Sequence, residues 1–199
     1  NVISGNELGG IQITASGNLV RGNRIGTDPS GTQRIANLAR GVLLWDREGT
    51  VDTANNTIGG VTPEMRNIVS GNFLGIEFDG VRVTGNAVLG NYIGTDFTGI
   101  IALSNTQDGI EIEDSPGNTI GGPTVESRNV ISGNREVGVQ IFGGLASGNL
   151  VQGNVIGTDF SGRFAVGQSL TGVEIDDARV NQIEDNVISG NSLYGVFIF

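Results

Sequence analysis

The sequence contains no cysteine, no histidine and no lysine, so all eleven basic residues are arginine. Without histidine or cysteine, catalysis by Ser-His-Asp or Cys-His arrangements is excluded, as are zinc sites built from these ligands. The missing lysine excludes Schiff-base chemistry, and the missing cysteine excludes disulfides. Carboxylates therefore remain as the main chemically active side chains.

Positive charge and long apolar runs are also scarce. Eleven basic residues stand against 21 acidic ones, which gives a net charge of −10 and a pI near 4.3. Nucleic acid and anionic membrane surfaces are therefore not expected partners. No apolar run approaches the roughly 18 residues of a membrane span, and no signal peptide is recognisable, so membrane insertion is not expected.

Glycine is abundant, with 34 of 199 residues against a usual share of about 7%. The glycines lack a three-residue period and proline numbers only 4, which excludes collagen. Regularly spaced isoleucine, valine and leucine argue against disorder. The composition therefore indicates one repetitive domain with many tight turns.

Three motifs recur in a fixed order. NVISGN or NIVSGN begins at Asn1, Asn67, Asn129 and Asn186; GNxIGTD covers residues 22–28, 90–96 and 153–159; NTIGG begins at Asn56 and Asn118. A G-[IV]-x-[ILF] segment recurs between them, and the shortest repeat has about 23 residues. Alternate repeats carry a short insertion (residues 59–66, 121–128) or a longer one (27–37, 95–105, 158–168). Because both chain ends lie inside these motifs, we interpret residues 1–199 as one domain from a longer array.

The repeated segments are short and their apolar residues alternate with period two, which predicts β-strands. Aligning the repeats gives four aliphatic columns, from Ile11 to Val196, Ile13 to Ile198, Val20 to Ile183 and Ile3 to Ile188. Parallel stacking about 4.8 Å apart places like residues over like, and only stacked repeats bury such columns. Two asparagine columns, Asn18 to Asn181 and Asn23 to Asn186, predict side-chain ladders at the corners. The sequence predicts an all-β, single-stranded parallel β-helix of about six and a half three-stranded rungs.

With these motifs the chain resembles the right-handed parallel β-helix repeats of the pectin-lyase-like superfamily. In particular it resembles the NVISGN/NTIGG/GNxIGTD repeats of very large bacterial secreted and surface proteins, and this resemblance covers the whole chain. The resemblance implies a right-handed coil and a secreted or cell-surface location. The superfamily includes pectate lyases and polygalacturonases but also adhesins and phage tailspikes. The polygalacturonase pattern requires a histidine that this chain lacks, and no lyase signature matches.

The GTD motif places Asp28, Asp96 and Asp159 at the start of each long insertion. Functionally, each is a candidate calcium ligand, because Ca²⁺ binds carboxylate and carbonyl oxygens. Structurally, each is a cap for the turn that opens the insertion. Recurrence at one rung position favours the cap, since an active site normally occurs once.

The outward side of the first strand in each rung carries Gln12, Leu43, Glu77, Glu111, Gln140, Glu174 and Phe197. In enzymes of the resembled superfamily this face forms the substrate groove. We expect Glu77 and Glu111, on adjacent rungs, to approach within roughly 5 Å. Such a pair suits glycoside hydrolysis or a bound cation, and otherwise is part of a solvated acidic face that keeps the sheet soluble. We favour the solvated face.

Trp45, just after the strand at 42–44, is the candidate for carbohydrate or partner contact, because aromatic rings stack on sugar rings. The alternative is an aromatic packed beneath the neighbouring insertion. The apolar residues 197–199 predict flanking rungs or end-to-end stacking of two copies.

These observations together predict a structural or adhesive repeat module of a secreted or cell-surface protein, without a resident cofactor and with a polysaccharide or cell-surface partner. One alternative is a polysaccharide-active hydrolase or lyase that uses the acidic groove on the first-strand face. The other is a binding module that depends on calcium.

Overall fold

The computed structural model describes residues 1–167 and 170–199, which fold into twenty short strands arranged in three parallel sheets. The first-strand sheet contains β2 (Ile11–Ile13), β5 (Arg40–Trp45), β8 (Leu74–Asp79), β11 (Ile110–Glu113), β14 (Val137–Phe142), β17 (Thr171–Asp176) and β20 (Tyr194–Ile198). The second-strand sheet contains β3 (Leu19–Val20), β6 (Thr57–Gly59), β9 (Ala87–Leu89), β12 (Thr119–Gly121), β15 (Leu150–Gln152) and β18 (Gln182–Glu184). The third-strand sheet contains β1 (Val2–Ile3), β4 (Arg24–Ile25), β7 (Ile68–Val69), β10 (Tyr92–Ile93), β13 (Val130–Ile131), β16 (Val155–Ile156) and β19 (Val187–Ile188).

The chain visits the three sheets in turn, so β2, β3 and β4 form one coil and β5, β6 and β7 form the next. Six full coils follow one another, with β1 before them and β20 after them. Strands of the same sheet pair in parallel with their next-coil counterparts. The predicted parallel β-helix of about six and a half rungs is confirmed.

The four predicted aliphatic columns line the interior. Ile76 pairs with Ile110, and Phe78 with Ile112, and all four side chains are fully buried. One continuous apolar cluster runs the length of the coil. Burial of each such side chain contributes roughly 1.5–3 kcal/mol. A single coil cannot achieve this burial, because its inward side chains are covered only when other coils stack above and below them.

Three asparagine ladders run along the corners. In the two predicted ladders, most side-chain oxygens accept hydrogen bonds from both the backbone and the side-chain amide of the asparagine one coil earlier, as Asn67 does from Asn23, both at 3.0 Å. A third, unpredicted ladder is formed by Asn6, Asn37, Asn72, Asn105 and Asn134. It alternates between the NVISGN motif and the ends of the first two long insertions. The third insertion ends at Gln168, which lies outside the described residues.

The insertions lie over the outward face of the third-strand sheet. Each short insertion holds a single 3₁₀ turn, Pro63–Met65 or Val125–Ser127, and each long one holds an antiparallel bridge such as Thr27 to Arg34. Ile68, Tyr92 and Val130 point outward from this sheet, yet each is at most 7% exposed because the insertions cover them. In the described ranges, no helix is long and apolar enough to cross a membrane.

Candidate functional site

The outward side of the first-strand sheet carries two columns in register. The predicted column is confirmed, since Leu43 pairs with Glu77, Glu77 with Glu111, and Glu111 with Gln140. Two residues further along each strand lies a second column of Trp45, Asp79, Glu113, Phe142 and Asp176. We call Glu77, Asp79, Glu111 and Glu113, which lie on β8 and β11, the acidic cluster. In residues 1–167 and 170–199, only here do two adjacent coils place acids in both columns: the neighbouring coils have leucine, tryptophan, glutamine or phenylalanine, and β17 has a single acidic pair, Glu174 and Asp176.

The carboxylates of the acidic cluster lie close together. Oxygen atoms of Glu77, Glu111 and Glu113 all lie within 4.8 Å of one another, which confirms the expected approach of Glu77 to Glu111. The interpretation of a solvated face is wrong for Glu77, whose side chain is only 2% exposed. Arg40, on the preceding coil, covers it: the guanidinium donates through Nε to one oxygen and through Nη2 to the other at 3.0 Å.

Burial and neighbouring charges raise the pKa of Glu111 in the cluster and of Asp108 beside it. The pKa of Glu111 is raised to about 7, first by burial and then by the charges of Glu77, Asp108 and Glu113. Burial likewise raises the pKa of Asp108 to about 7, even though its carboxylate accepts a 2.7 Å hydrogen bond from the Val137 backbone. Both carboxyl groups therefore change between the protonated and the charged form near neutral pH. Raised pKa values of this kind are often found at functional sites.

Asp79 and Glu113 of the cluster follow the same trend. Burial, then Glu77 and Asp46, raises the pKa of Asp79. Burial, then Asp79 and Glu77, raises the pKa of Glu113. The positive charge of Arg40 lowers both values in part, so this one guanidinium serves several carboxylates.

The geometry of the acidic cluster fits a cation only in part. Ca²⁺ contacts oxygen at about 2.3–2.6 Å, so two of its ligands lie at most about 5 Å apart, and these carboxylate oxygens all lie within 4.8 Å of one another. Arg40, however, already bonds both oxygens of Glu77. A metal ion would have to displace this guanidinium or rely on Glu111 and Glu113, well short of the six to eight oxygens that calcium takes.

A groove of about 620 Å³ lies beside the acidic cluster, and Trp45, Asp79, Glu113 and Arg40 stand in its walls. Trp45 is partly exposed there. The turn that follows it is held by Asp46, whose carboxylate accepts hydrogen bonds from the backbone of Gly49 at 2.7 Å and of Arg82 at 3.1 Å. The groove wall is thus built by contacts between two successive coils.

Two non-glycine residues of that turn, Arg47 and Glu48, have left-handed φ values of 53° and 61°. Such conformations cost about 1–3 kcal/mol each and persist where the surrounding structure enforces them. Strain of this kind is often found at binding sites, which fits the position of this turn at the mouth of the groove.

The GTD aspartates lie apart from the acidic cluster, one in each long insertion. Each accepts hydrogen bonds from backbone amides four and five residues later: Asp28 from Thr32 and Gln33, both at 2.9 Å. The same bonds recur at Asp96 from Ile100 and Ile101, and at Asp159 from Arg163 and Phe164. The Ser30 hydroxyl, then the backbone amides, lower the pKa of Asp28. The geometry therefore supports capping of the insertions.

Arg40 and Asp108 beside the acidic cluster, and Arg66 and Arg128 at two pockets on the third-strand sheet, carried no sequence-based prediction. Arg40 precedes the strand motif and acts on a residue one coil away. Arg66 and Arg128 occupy matched positions in the two short insertions, GGVTPEMR and GGPTVESR. The signal for this pair was the shared arginine before the ladder asparagine.

Comparison of the chain with family models, curated proteins and solved structures gave no match.

Proposed function

We propose that the chain is a structural or adhesive repeat module of a secreted or cell-surface protein, and that its groove at Trp45 contacts carbohydrate. Within the same proposal the coil is right-handed and belongs to the pectin-lyase-like superfamily, as its motifs imply. The observation that carries the functional proposal is the placement of Trp45 in the wall of an open 620 Å³ groove on a regular scaffold.

The scaffold supports an extended binding surface. Its ladders and aliphatic columns continue from coil to coil, so the outward side chains are held at fixed intervals of about 4.8 Å. Repeat proteins use such surfaces for partners that are themselves extended. A polysaccharide chain is a partner of that shape.

The lining of the groove supports a sugar. An aromatic ring provides a stacking surface, and the carboxylates of Asp79 and Glu113 accept hydrogen bonds from hydroxyl groups. The local excess of carboxylates disfavours an anionic ligand, because like charges repel at short range. We therefore assign neutral carbohydrate to this groove.

The fluorescence of Trp45 tests this proposal directly, since it is the single tryptophan in the chain. Titration with neutral oligosaccharides from several plant and microbial glycans is expected to quench or shift its emission. Trp45→Ala is expected to abolish binding measured by calorimetry. Phe142→Ala, three coils along in the same column, is the matched control and is expected to leave affinity unchanged.

One observation favours glycoside hydrolysis as a second candidate. Glu111, with its pKa near 7, suits a general acid, and Glu77 lies close by at the short separation typical of retaining enzymes. Burial of Glu77 under Arg40 opposes this role, because a nucleophile must reach a sugar carbon. An activity screen with Glu111→Gln separates the two functions.

A further inference from the structure

A second surface, on the outward face of the third-strand sheet, contains two pockets at matched positions. The first, of about 250 Å³, lies among Arg66, Ile68 and Phe97. The second, of about 120 Å³, lies among Arg128, Val130 and Phe160. Ile68 and Val130 belong to one column with Tyr92 between them, so the pockets are two coils, or about 10 Å, apart. We call Arg66, Tyr92, Phe97, Arg128 and Phe160 the arginine–aromatic face.

Hydrogen bonds through Nε fix the side chains of Arg66 and Arg128, and their terminal nitrogens remain able to bind a ligand. Each Nε donates at 3.1 Å to a glycine carbonyl on the next coil, Arg66 to Gly90 and Arg128 to Gly153. The Arg66 guanidinium also lies 4.0 Å from the centre of the Tyr92 ring. Across residues 1–167 and 170–199, their terminal nitrogens have no hydrogen bond or ion pair. Such fixed guanidinium groups bind planar anions with little loss of entropy.

The phenylalanines give each pocket an aromatic wall. Phe97 and Phe160 directly follow the capping aspartates of the second and third long insertions, and are 47% and 48% exposed. The insertions are tied together, because Phe97 N–H donates to Gly31 at 3.1 Å and Phe160 N–H donates to Gly99 at 3.0 Å. The two rings therefore recur in every second coil and offer stacking surfaces to a ligand that runs along them.

The size and charge of the pockets define the ligand group. The 120 Å³ pocket equals the volume of about four water molecules, which suits a carboxylate or sulfate with part of a ring. Its described lining contains Arg66 and Arg128 and no acidic side chain. The 250 Å³ pocket contains Arg24, Arg66 and Glu64, so it too has more positive than negative charge. Both pockets therefore favour an anionic group.

Repetition favours a polymer over a single small anion. The two pockets differ in volume, but each has an arginine and a phenylalanine at matched positions. Two sites of the same kind on one rigid surface bind a chain with evenly spaced anionic groups far more tightly than they bind the free group. Double-stranded nucleic acid carries one charge per about 1.7 Å, a much closer spacing than the distance between the pockets. The net charge of −10 on the protein also disfavours nucleic-acid binding. A polysaccharide with an acid group on every second sugar has a charge spacing comparable to that of the pockets.

We propose that the arginine–aromatic face binds a linear acidic glycan parallel to the coil axis, with one acid group in each pocket. This inference rests on the proposed contact with carbohydrate but places an acidic chain on a face separate from the Trp45 groove. The two faces differ in the charge that they accept, so each assignment can fail alone.

Calorimetric titration with hyaluronan oligosaccharides, in which glucuronate alternates with a neutral sugar, tests this inference. A decasaccharide is expected to bind more tightly than a tetrasaccharide, and added salt is expected to weaken both. Arg128→Gln is expected to reduce decasaccharide affinity about tenfold, the usual effect of losing one charge-assisted hydrogen bond. Phe160→Ala is expected to weaken binding as well. Arg163→Gln, at an exposed arginine of the third long insertion, is the matched control.

Several results would overturn the inference. Equal losses in Arg128→Gln and Arg163→Gln would indicate unspecific attraction, as would equal affinity for the two oligosaccharides. A single-stranded oligonucleotide that binds more tightly would reassign the face to nucleic acid. Loss of hyaluronan binding in Trp45→Ala but not in Arg128→Gln would move the acidic glycan to the groove. Binding of neutral sugars at Trp45 without any hyaluronan binding would end this inference and leave the proposed function intact. Melting temperatures of all variants confirm folding.

Discussion

The two outward faces of this coil share one backbone but differ in how their residues repeat. On the first-strand sheet, the column changes from Leu43 to Glu77 to Glu111 to Gln140, so the acidic cluster occurs once. On the third-strand sheet, arginines and phenylalanines recur in every second coil. A cluster that occurs once suits one discrete group of a ligand, whereas a recurring set suits a polymer. The pattern of repetition, more than the fold, therefore separates the two roles.

The two faces also differ in the sign and the environment of their charged groups. On the acidic cluster, burial and mutual repulsion raise the pKa of Glu111 to about 7, which costs stability above that pH. On the arginine–aromatic face, the Arg66 and Arg128 guanidinium groups are supported by carbonyls on the next coil and keep free donors. One face therefore disfavours anions and the other attracts them.

The largest effect on stability is expected from disrupting an asparagine ladder, because the ladders support both faces. Asn91 is fully buried, accepts from Asn67 at 2.9 Å and donates to the Ile58 carbonyl at 2.8 Å. Asn91→Ala is expected to lower the free energy of unfolding by about 3 kcal/mol, because several buried groups lose partners. Urea denaturation measures this change in the free energy of unfolding. Asn18→Ala, at the exposed first member of a ladder, is expected to cost under about 1 kcal/mol; equal losses would contradict the ladder's role.

The second-largest effect on stability is expected at the acidic cluster. Arg40→Met removes the partner of the nearly buried Glu77 and is expected to lower the free energy of unfolding by about 2 kcal/mol. This is below the usual cost for a buried pair because Arg40 itself is 44% exposed. Adding Glu77→Gln is expected to recover part of that loss, which a double-mutant cycle by urea denaturation measures. Strictly additive losses would show that the ion pair contributes little.

The raised pKa values of Glu111 and Asp108 make the stability of the protein depend on pH. The ordinary pKa values of Glu111 and Asp108 are 4.5 and 3.8, and both rise to about 7 in the folded state. Between these limits the folded state binds more protons than the unfolded state, so stability contributed by these groups falls as the pH rises towards 7. Glu111→Gln is expected to stabilise the protein by roughly 1–2 kcal/mol at pH 8, after allowance for solvent screening, and to change little at pH 4.

Urea unfolding at pH 4 and pH 8 checks this expectation. Glu126→Gln, at an exposed glutamate of the second short insertion, is the control and should leave the pH dependence as it is. A Glu111→Gln variant that is less stable than the wild type at pH 8 would mean that its carboxylate is favourably solvated or paired.

The smallest effect is expected in the long insertions. The Asp159 carboxylate accepts hydrogen bonds from Arg163 N at 3.0 Å and Phe164 N at 3.1 Å, so Asp159→Ala is expected to cost about 1 kcal/mol. Because this carboxylate already serves as a cap, calcium or a chelator is expected to leave the wild-type melting temperature unchanged. A clear drop in melting temperature on chelation, absent in Asp159→Ala, would revive the calcium-dependent alternative.

Much of the fold could be predicted because like residues stack on like. The spacing from Ile76 to Ile110, or from Asn67 to Asn91, directly gives the register of neighbouring coils. The third ladder could not be found in this way, because Asn37 and Asn72 come from different motifs and their spacing changes with each insertion.

The candidate sites were predictable only where they follow the same columns. The approach of Glu77 to Glu111 follows from register. The burial of Glu77 does not, because it depends on the long Arg40 side chain reaching across one coil. The pockets near Phe97 and Phe160 are formed by insertions from separate coils, and sequence spacing alone does not bring these together.

The most direct test of the central claim, a scaffold that contacts carbohydrate without cleaving it, is one combined screen. The protein would be incubated with neutral and acidic polysaccharides, with and without calcium, and assayed for new reducing ends, unsaturated products and bound glycan. We expect glycan binding with no product from any substrate. Turnover that disappears in Glu77→Gln or Glu111→Gln would contradict the claim and identify a glycan-cleaving enzyme.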